Sequence, residues 1–329
     1  MSKPLFTVFT PTFNRVHTLH RVYESLKAQT FRHFEWVIVD DGSMDNTHEL
    51  VKEWQNEADF PIRYFWQPNK GKHEAFRRGL EQAQGEFFLP FDSDDACIPE
   101  ALERFKFHWD SIPAEEKHLF SGVCGLCKDQ YGRLVGNRFP FDITDSDSLE
   151  IYYRYGVKGE KWGFQRSEVL RRYPFPEVEG ARYVPEGVVW NAIAKSYKNR
   201  FVNEVLRVYF IQNAFSSDQI THSLSAPSIN ASGGAFYYGF RLNEEITWFR
   251  NTPWDFFRSA VNYVRFSLHL GIGILRLLQK IRPMLAKGLV IFALPVGAIL
   301  YALEKRNVNL VRKYALTIQT VKDWMAKIV

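Results

Sequence analysis

Strand-like and helix-like patterns alternate over the first hundred residues of this chain, and every strand pattern runs out into a short polar cluster. Leu5–Thr10 reads as a strand and Arg15–Gln29 as a helix with Val16, Leu19, Val22, Tyr23 and Leu26 on one face. Glu35–Val39 reads as the second strand, and Asp45 is placed to cap a helix running to Gln55. Ile62–Phe65 is the third strand, followed by a helix over His73–Ala83, and Glu86–Phe91 is the fourth. This order predicts an α/β fold: a doubly wound, mostly parallel sheet with helices on both faces. The polar clusters are Thr10–Arg15, Asp40–Ser43, Asn69–Lys72 and Asp92–Asp95. Open α/β sheets bind ligands outside the carboxyl ends of their strands, so four clusters at four such ends point to one shared nucleotide site.

Asp92-Ser93-Asp94-Asp95 leaves the apolar run Phe87–Phe91, and acids gathered at a strand end call for positive charge. In an extended segment Asp92 and Asp94 face one side and Ser93 the other. Hard cations such as Mg²⁺ or Mn²⁺ share oxygen ligands between carboxylate and substrate phosphate, which suits a D-x-D pattern. The plainer alternative is a cap for a helix opened by Pro99. Asp40 and Asp41 can accept hydrogen bonds from a base or ribose, or form a simple Asp-Gly turn. Arg15, Lys70 and Lys72 can meet phosphate, or be solvated surface cations.

Thr10-Pro11-Thr12-Phe13-Asn14-Arg15, Trp36-Val37-Ile38-Val39-Asp40-Asp41-Gly42-Ser43, Asn69-Lys70-Gly71 and Asp92-Ser93-Asp94-Asp95 together resemble the nucleotide-binding half of the family 2 glycosyltransferases, inverting enzymes of GT-A fold. The resemblance is specific over about residues 5–110, looser to about residue 215, and does not cover the tail. It implies that Pro11 and Thr12 line the nucleoside pocket, Asp41 holds the base, Asp92 lies near the ribose and Asp94 binds the metal. Asn14, Arg15, Asp40, Lys72 and Ser93 complete the expected nucleotide-binding set. An inverting transferase also needs a general base on the acceptor hydroxyl. The family often carries a Glu-Asp pair at a helix start there. This chain has Pro185-Glu186-Gly187, which makes Glu186 the candidate base, with Glu177 and Glu179 as competitors and a plain helix N-terminal Glu as the bland alternative. Trp162 can stack on a sugar or sit in the core.

The middle is less regular. Phe120–Cys127 and Arg133–Asn137 look like a strand pair, Glu186–Tyr197 like a helix, Phe201–Phe210 like a strand, and residues 212–235 like a Ser-, Asn- and Gly-rich loop or lid. The net charge of +5 hides an asymmetry. Residues 250–329 hold 13 Lys+Arg against 3 Asp+Glu, +10, which leaves 5 − 10 = −5 for residues 1–249. Phe256–Leu278 is a basic, apolar helix pattern. Gly288–Leu303 is a 16-residue run without charge, interrupted by Pro295 and shorter than the roughly 20 residues a span needs. Leu310 to Ile328 then repeats apolar residues at helical spacing.

The expected organisation is therefore a transferase domain over 1–249, divided into a nucleotide half (1–110) and an acceptor half (111–249), and a membrane-associating tail over 250–329. Apolar helices interleaved with Lys and Arg suit an anionic lipid surface; true spans and a soluble packing interface are the alternatives. Met1-Ser2-Lys3-Pro4 enters a strand pattern without an apolar leader, and three cysteines make no disulfide framework. Both favour the cytoplasmic side of the cell membrane, with the protein peripheral or monotopic. The expected reaction is metal-dependent transfer from a nucleoside-diphosphate sugar, UDP-linked by preference, to a lipid-linked or saccharide acceptor. The rivals are a nucleotidyltransferase, disfavoured because Thr10–Arg15 lacks glycine, and a non-catalytic scaffold. A nucleic-acid partner is not expected, since the basic excess sits among apolar helices. Cys124 and Cys127 form a C-x-x-C without the second pair that a zinc site needs.

Overall fold

The computed structural model describes residues 3–211 and 227–306, which divide into two compact units. The first comprises residues 3–177 and 182–211; the second takes Val178–Ala181 and residues 227–306.

The first unit is built on a nine-stranded mixed sheet. Its strands are β1 (Phe6–Thr12), β2 (Phe34–Asp40), β3 (Ile62–Trp66), β4 (Phe87–Pro90), β5 (Ala96–Cys97), β6 (Phe120–Asp129), β7 (Ile143–Ser146), β8 (Lys161–Arg166) and β9 (Lys198–Tyr209). They lie in the order β3-β2-β1-β4-β8-β6-β9-β5, with β7 also paired to β9. Helices α1 (His20–Lys27), α2 (Thr47–Glu57) and α3 (Lys72–Gln82) connect the four parallel strands β1–β4. The register places Thr12 opposite Asp40 and Asp40 opposite Trp66, so the loops after β1, β2 and β3 emerge together. All seven residues of β2 are buried, as a strand covered on both faces requires. Beyond β4 the sheet turns antiparallel: β8 pairs β4 and β6, while β9 runs parallel to β6. Phe6, Phe87, Phe105, Trp109 and Phe164 pack against one another beneath β4 and β8, and Tyr23 stacks on Trp54 at 4.5 Å. Each such buried ring contributes about 1.5–3 kcal/mol.

Several expectations are corrected here. The helix expected from Arg15 begins at His20, because residues 15–19 form tight turns tied to the next loop by Val16 N–H donating to Asp45 Oδ2 at 3.0 Å. Arg133–Asn137 is not a strand. Both edges of β6 are already taken by β8 and β9, leaving one isolated bridge between Lys128 and Leu134. The α/β class and the parallel pairing of β1–β4 stand as the strand-helix alternation predicts, and antiparallel pairs at β8, β5 and β7 extend that sheet. The helix after Pro185 is α7 (Gly187–Ile193), shorter than expected; α4 (Ala101–Asp110), α5 (Ser148–Tyr153) and α6 (Ser167–Arg172) precede it.

The second unit is helical: α8 (Pro227–Glu244), α9 (Pro253–His269), α10 (Ile274–Gln279) and α11 (Met284–Arg306). Residues 227–235 thus belong to a helix rather than a loop, while 212–226 and the apolar repeat over 310–328 lie outside the described residues. The single helix expected over 256–278 is two, separated at Gly271, whose φ of +69° glycine adopts without strain. Pro295 does not end its run but lies inside the 23-residue α11.

Candidate active site

The strand-end loops are stapled to one another before any ligand is considered. Asn14, at φ +53°, donates its N–H to Ser43 Oγ at 2.8 Å and accepts from Met44 N–H through Oδ1 at 2.8 Å. Asp40 is buried with both oxygens occupied, by Ser43 N–H at 2.7 Å and the Tyr64 hydroxyl at 2.6 Å. Burial and that hydrogen bond to Asp40 push the Tyr64 phenol up. Asp41 is also buried, and accepts from Gln67 Nε2 at 2.7 Å, Lys70 N–H at 2.9 Å and Gly71 N–H at 2.7 Å. The two acids thus fix the loops after β2 and β3. Gly71 must be glycine: its φ is +95°, and a Cβ would stand 2.2 Å from the Arg182 carbonyl oxygen. Pro11 and Thr12 end β1 beside this frame, with Asp41 N–H donating to Thr12 O at 2.8 Å.

Asp92–Asp95 forms a turn rather than the extended segment its alternation suggested, with Asp95 N–H reaching Asp92 O at 3.3 Å. Asp92 meets Lys72 Nζ at 2.6 Å on one oxygen and Arg207 at 2.8 Å on the other. Burial raises its pKa, but the two cations outweigh that and hold it well below the usual carboxylate range. Asp95, 1% exposed, receives both Nε and an outer nitrogen of Arg207 and the Phe210 N–H at 2.8 Å. Ser93 is buried between them. Lys72 also reaches Glu186 Oε1 at 2.9 Å, so one ammonium links the acid cluster to the candidate base at the start of α7. Asp94 differs: burial, then the charge of Asp92, raise its pKa against the pull of Arg15, Arg207 and Lys72.

The strand-end charges interlock. Lys72 and Arg207 act on Asp92, Asp94 and Glu160, joined at Asp94 by the charge of Arg15 and by Arg21 donating to Asp94 O at 2.9 Å, with Lys161 beside Glu160. Burial raises the Asp94 carboxyl and pushes Asp95 up to about 7 against the pull of these cations. A carboxyl so placed would hold a divalent cation together with phosphate oxygens. Among the described residues no group of three or more His, Cys, Asp or Glu could hold a metal without such help. Burial pushes the Cys124 and Cys127 thiols up to about 12, so they stay protonated.

The structure brings Lys72, Asp92, Asp94 and Glu186 together, with the charge of Arg15 acting on Asp94. Of the competing acids, Glu177 pairs with Arg77 at 2.8 Å, and Glu179 belongs to the segment counted with the helical unit. Gly187 stands where the Glu-Asp pair would carry its second acid, with open space beyond 4 Å around the position of a Cβ. Trp162 is a core residue: its Nε1 donates to Pro90 O at 2.6 Å and it packs on Phe91 and Phe105. Sequence reasoning missed Arg207 and Glu160. The only hint of Arg207 was a lone cation in an otherwise apolar strand, Val205-Leu206-Arg207-Val208.

Residues 7–124 match the family described as Glycosyl transferase family 2. The chain is 25% identical over 271 residues to the GalNAc(5)-diNAcBac-PP-undecaprenol beta-1,3-glucosyltransferase of Campylobacter jejuni, covering 81% of this chain and 82% of that one. It is 37% identical over 98 residues to an uncharacterized glycosyltransferase of Nostoc sp., where the match spans 30% of either chain. The solved structure of S. aureus TarS 1-349 in complex with UDP superposes with a TM-score of 0.54 at 19% identity, covering 91% of each chain, which shows a shared fold. The chain is accordingly a glycosyltransferase of GT-A fold whose residues 7–124 form a family 2 domain.

Proposed function

We propose that the protein transfers a sugar from a nucleoside diphosphate, UDP by preference, to an acceptor hydroxyl with inversion at the anomeric carbon. The observation that carries this is the single ammonium of Lys72 joining Asp92 to Glu186. It joins a carboxylate of the strand-end cluster to the candidate base through one cation. Glu186 takes the proton of the attacking hydroxyl. Pro11, Thr12 and Asp41 line the nucleoside, with Asn14 and Asp40 positioning that wall and Asp92 and Ser93 toward the ribose. Arg15 and Lys72 face the diphosphate. Asp94 would hold Mg²⁺ or Mn²⁺ together with diphosphate oxygens; the cation, when bound, neutralises the charge of the leaving group. UDP in the Staphylococcus structure and the undecaprenol-linked substrate named for the Campylobacter relative support a UDP-sugar donor and a lipid-linked saccharide acceptor. The basic, apolar segment 250–329 seats the enzyme on the anionic cytoplasmic face of the membrane.

The test is nucleoside diphosphate release from a panel of nucleotide-sugars with Mn²⁺ and a membrane extract as acceptor source. Wild type releases it. Asp94→Ala and Glu186→Gln each lower kcat by about 10²–10⁴, the range for losing a charge-stabilising or general-base group. Full turnover in Glu186→Gln moves the base elsewhere, and full turnover in Asp94→Ala removes the metal assignment.

A further inference from the structure

α11 presents two unlike faces. Its small residues Ala286, Val290, Ala293 and Gly297 are buried. They pack against α9 so closely that a Cβ at Gly297 would lie 2.7 Å from the Val264 side chain and 3.0 Å from Val261 O. Its large residues point outward: Met284, Leu285, Ile291, Phe292, Val296 and Ile299 are all exposed, Met284 at 79% and Phe292 at 71%. From 288 to 300 no residue is charged or carries a hydrogen-bonding side chain, and the partly exposed Lys287 and Tyr301 bound this stretch. A water-facing helix side normally carries polar residues, and more than three turns without one mark a surface built for something apolar.

Cations frame this band at both ends. Arg276 and Lys280 stand exposed before it and Lys305 and Arg306 after it, while the neighbouring acid, Glu304, is mostly buried against Arg265 and His269. Apolar centre and basic ends match the hydrocarbon and the headgroups of an anionic leaflet.

Two orientations are open to such a helix. At 23 residues it is about 35 Å long, enough to cross a bilayer. Its packing decides against crossing. Phe257 meets Phe292, Val264 meets Gly297 and His269 meets Tyr301, so α9 runs beside α11 in the same direction along its length. A crossing α11 would carry α9 with it, taking Asp255, Arg258 and Arg265 into hydrocarbon. α8, packed on the other side of α9 through Gly234 against Phe266, would follow with Arg241 and Glu245. Ionisable groups are costly at that depth. Detaching α11 instead would uncover its glycine and alanine face and leave Glu304 without Arg265 and His269.

We infer that α11 lies flat, its Leu285–Phe292–Val296–Ile299 face sunk into one leaflet of an anionic membrane and its small-residue face clamped on α9, so that both helix ends remain on the same side of the bilayer. This rests on the membrane-seated reading above and specifies its geometry.

The experiment uses the full chain added to the outside of sealed vesicles of phosphatidylethanolamine and phosphatidylglycerol, 3:1, with phosphatidylcholine vesicles as the comparison. Lys280→Cys and Lys305→Cys, each exposed and flanking the band, are treated with a membrane-impermeant maleimide, the unsubstituted chain reporting the native thiols. Both positions label from outside if the helix lies flat; protection of one of them shows a span and overturns the inference. Phe292→Glu with Val296→Glu lowers partition onto the anionic vesicles at least tenfold while the melting transition stays in place. Undiminished partition, or a dimer in sedimentation that these substitutions dissociate, assigns the face to another partner and overturns it. Wild type that binds neither vesicle sinks the membrane-seated reading as well, whereas nucleoside diphosphate release tests the transferase reading separately.

Discussion

Arg207 in the sheet unit is 5% exposed and fully charged, whereas Phe292 in the helical unit is 71% exposed and fully apolar. Each contradicts the usual sorting of side chains, and each in a different way. Arg207 stays buried because Asp92 and Asp95 surround it, so the sheet unit contains its own counter-charges. Phe292 meets one ring of its own unit, Phe257 at 5.7 Å, and still leaves most of its surface uncovered among the described residues. Buried charge with internal partners marks a preorganised site, and apolar surface left uncovered marks a contact with something else.

That contrast can be broken most severely at Arg207. Arg207→Met leaves Asp95 buried without its cation and takes from Asp92 one of its two, and denaturant unfolding should show a loss of about 3–5 kcal/mol. A loss below about 1 kcal/mol would mean that the two carboxylates are compensated from elsewhere. Next comes the hidden side of the helical unit. Gly297→Leu forces side-chain atoms into the α9 contact and should cost about 1–3 kcal/mol, visible as an earlier melting transition. If the transition does not move, α11 is not packed there in solution.

A smaller effect follows from His73 at the start of α3. Burial lowers its pKa from the usual 6.5, so the folded state favours the neutral ring while the unfolded chain protonates near 6.5. The associated stability is present above pH 6.5 and is lost as pH falls from there toward the folded value. His73→Gln should therefore unfold with a shallower pH dependence between pH 7 and 5 than wild type; parallel curves would show that His73 does not titrate differently in the two states. The smallest effects belong to the surface. Phe292→Ser without lipid should alter stability by no more than about 0.5 kcal/mol, since the ring has little protein around it. Arg32→Ala, which removes the exposed pair with Asp59, should cost less than about 1 kcal/mol by the same unfolding measurement.

Local signals carried most of what was legible. The strands β1 to β4, the helices between them and the gathering of polar clusters at one sheet edge follow from periodicity and chain order, because a parallel β-α-β unit is a local object. Lys72, Asp92 and Glu186 were recognisable as candidates by type and position. Their connection through one ammonium was not, since residues 72, 92 and 186 come from three different elements. Asp40 and Asp41 looked like ligand acceptors in sequence, and the structure adds a framing duty, because their hydrogen-bond donors come from Ser43, Tyr64, Gln67, Lys70 and Gly71.

The α/β class, the polar clusters at the strand ends and the basic, apolar character of the tail are properties of composition and short-range pattern, and so are legible without the fold. Folding in three dimensions adds β8 and β9 to the sheet, brings Arg207 between Asp92 and Asp95, and turns the small residues of α11 inward and its large ones outward. These depend on pairings between distant segments. A strand edge is open or taken, and a helix face inward or outward, only once the partner has arrived.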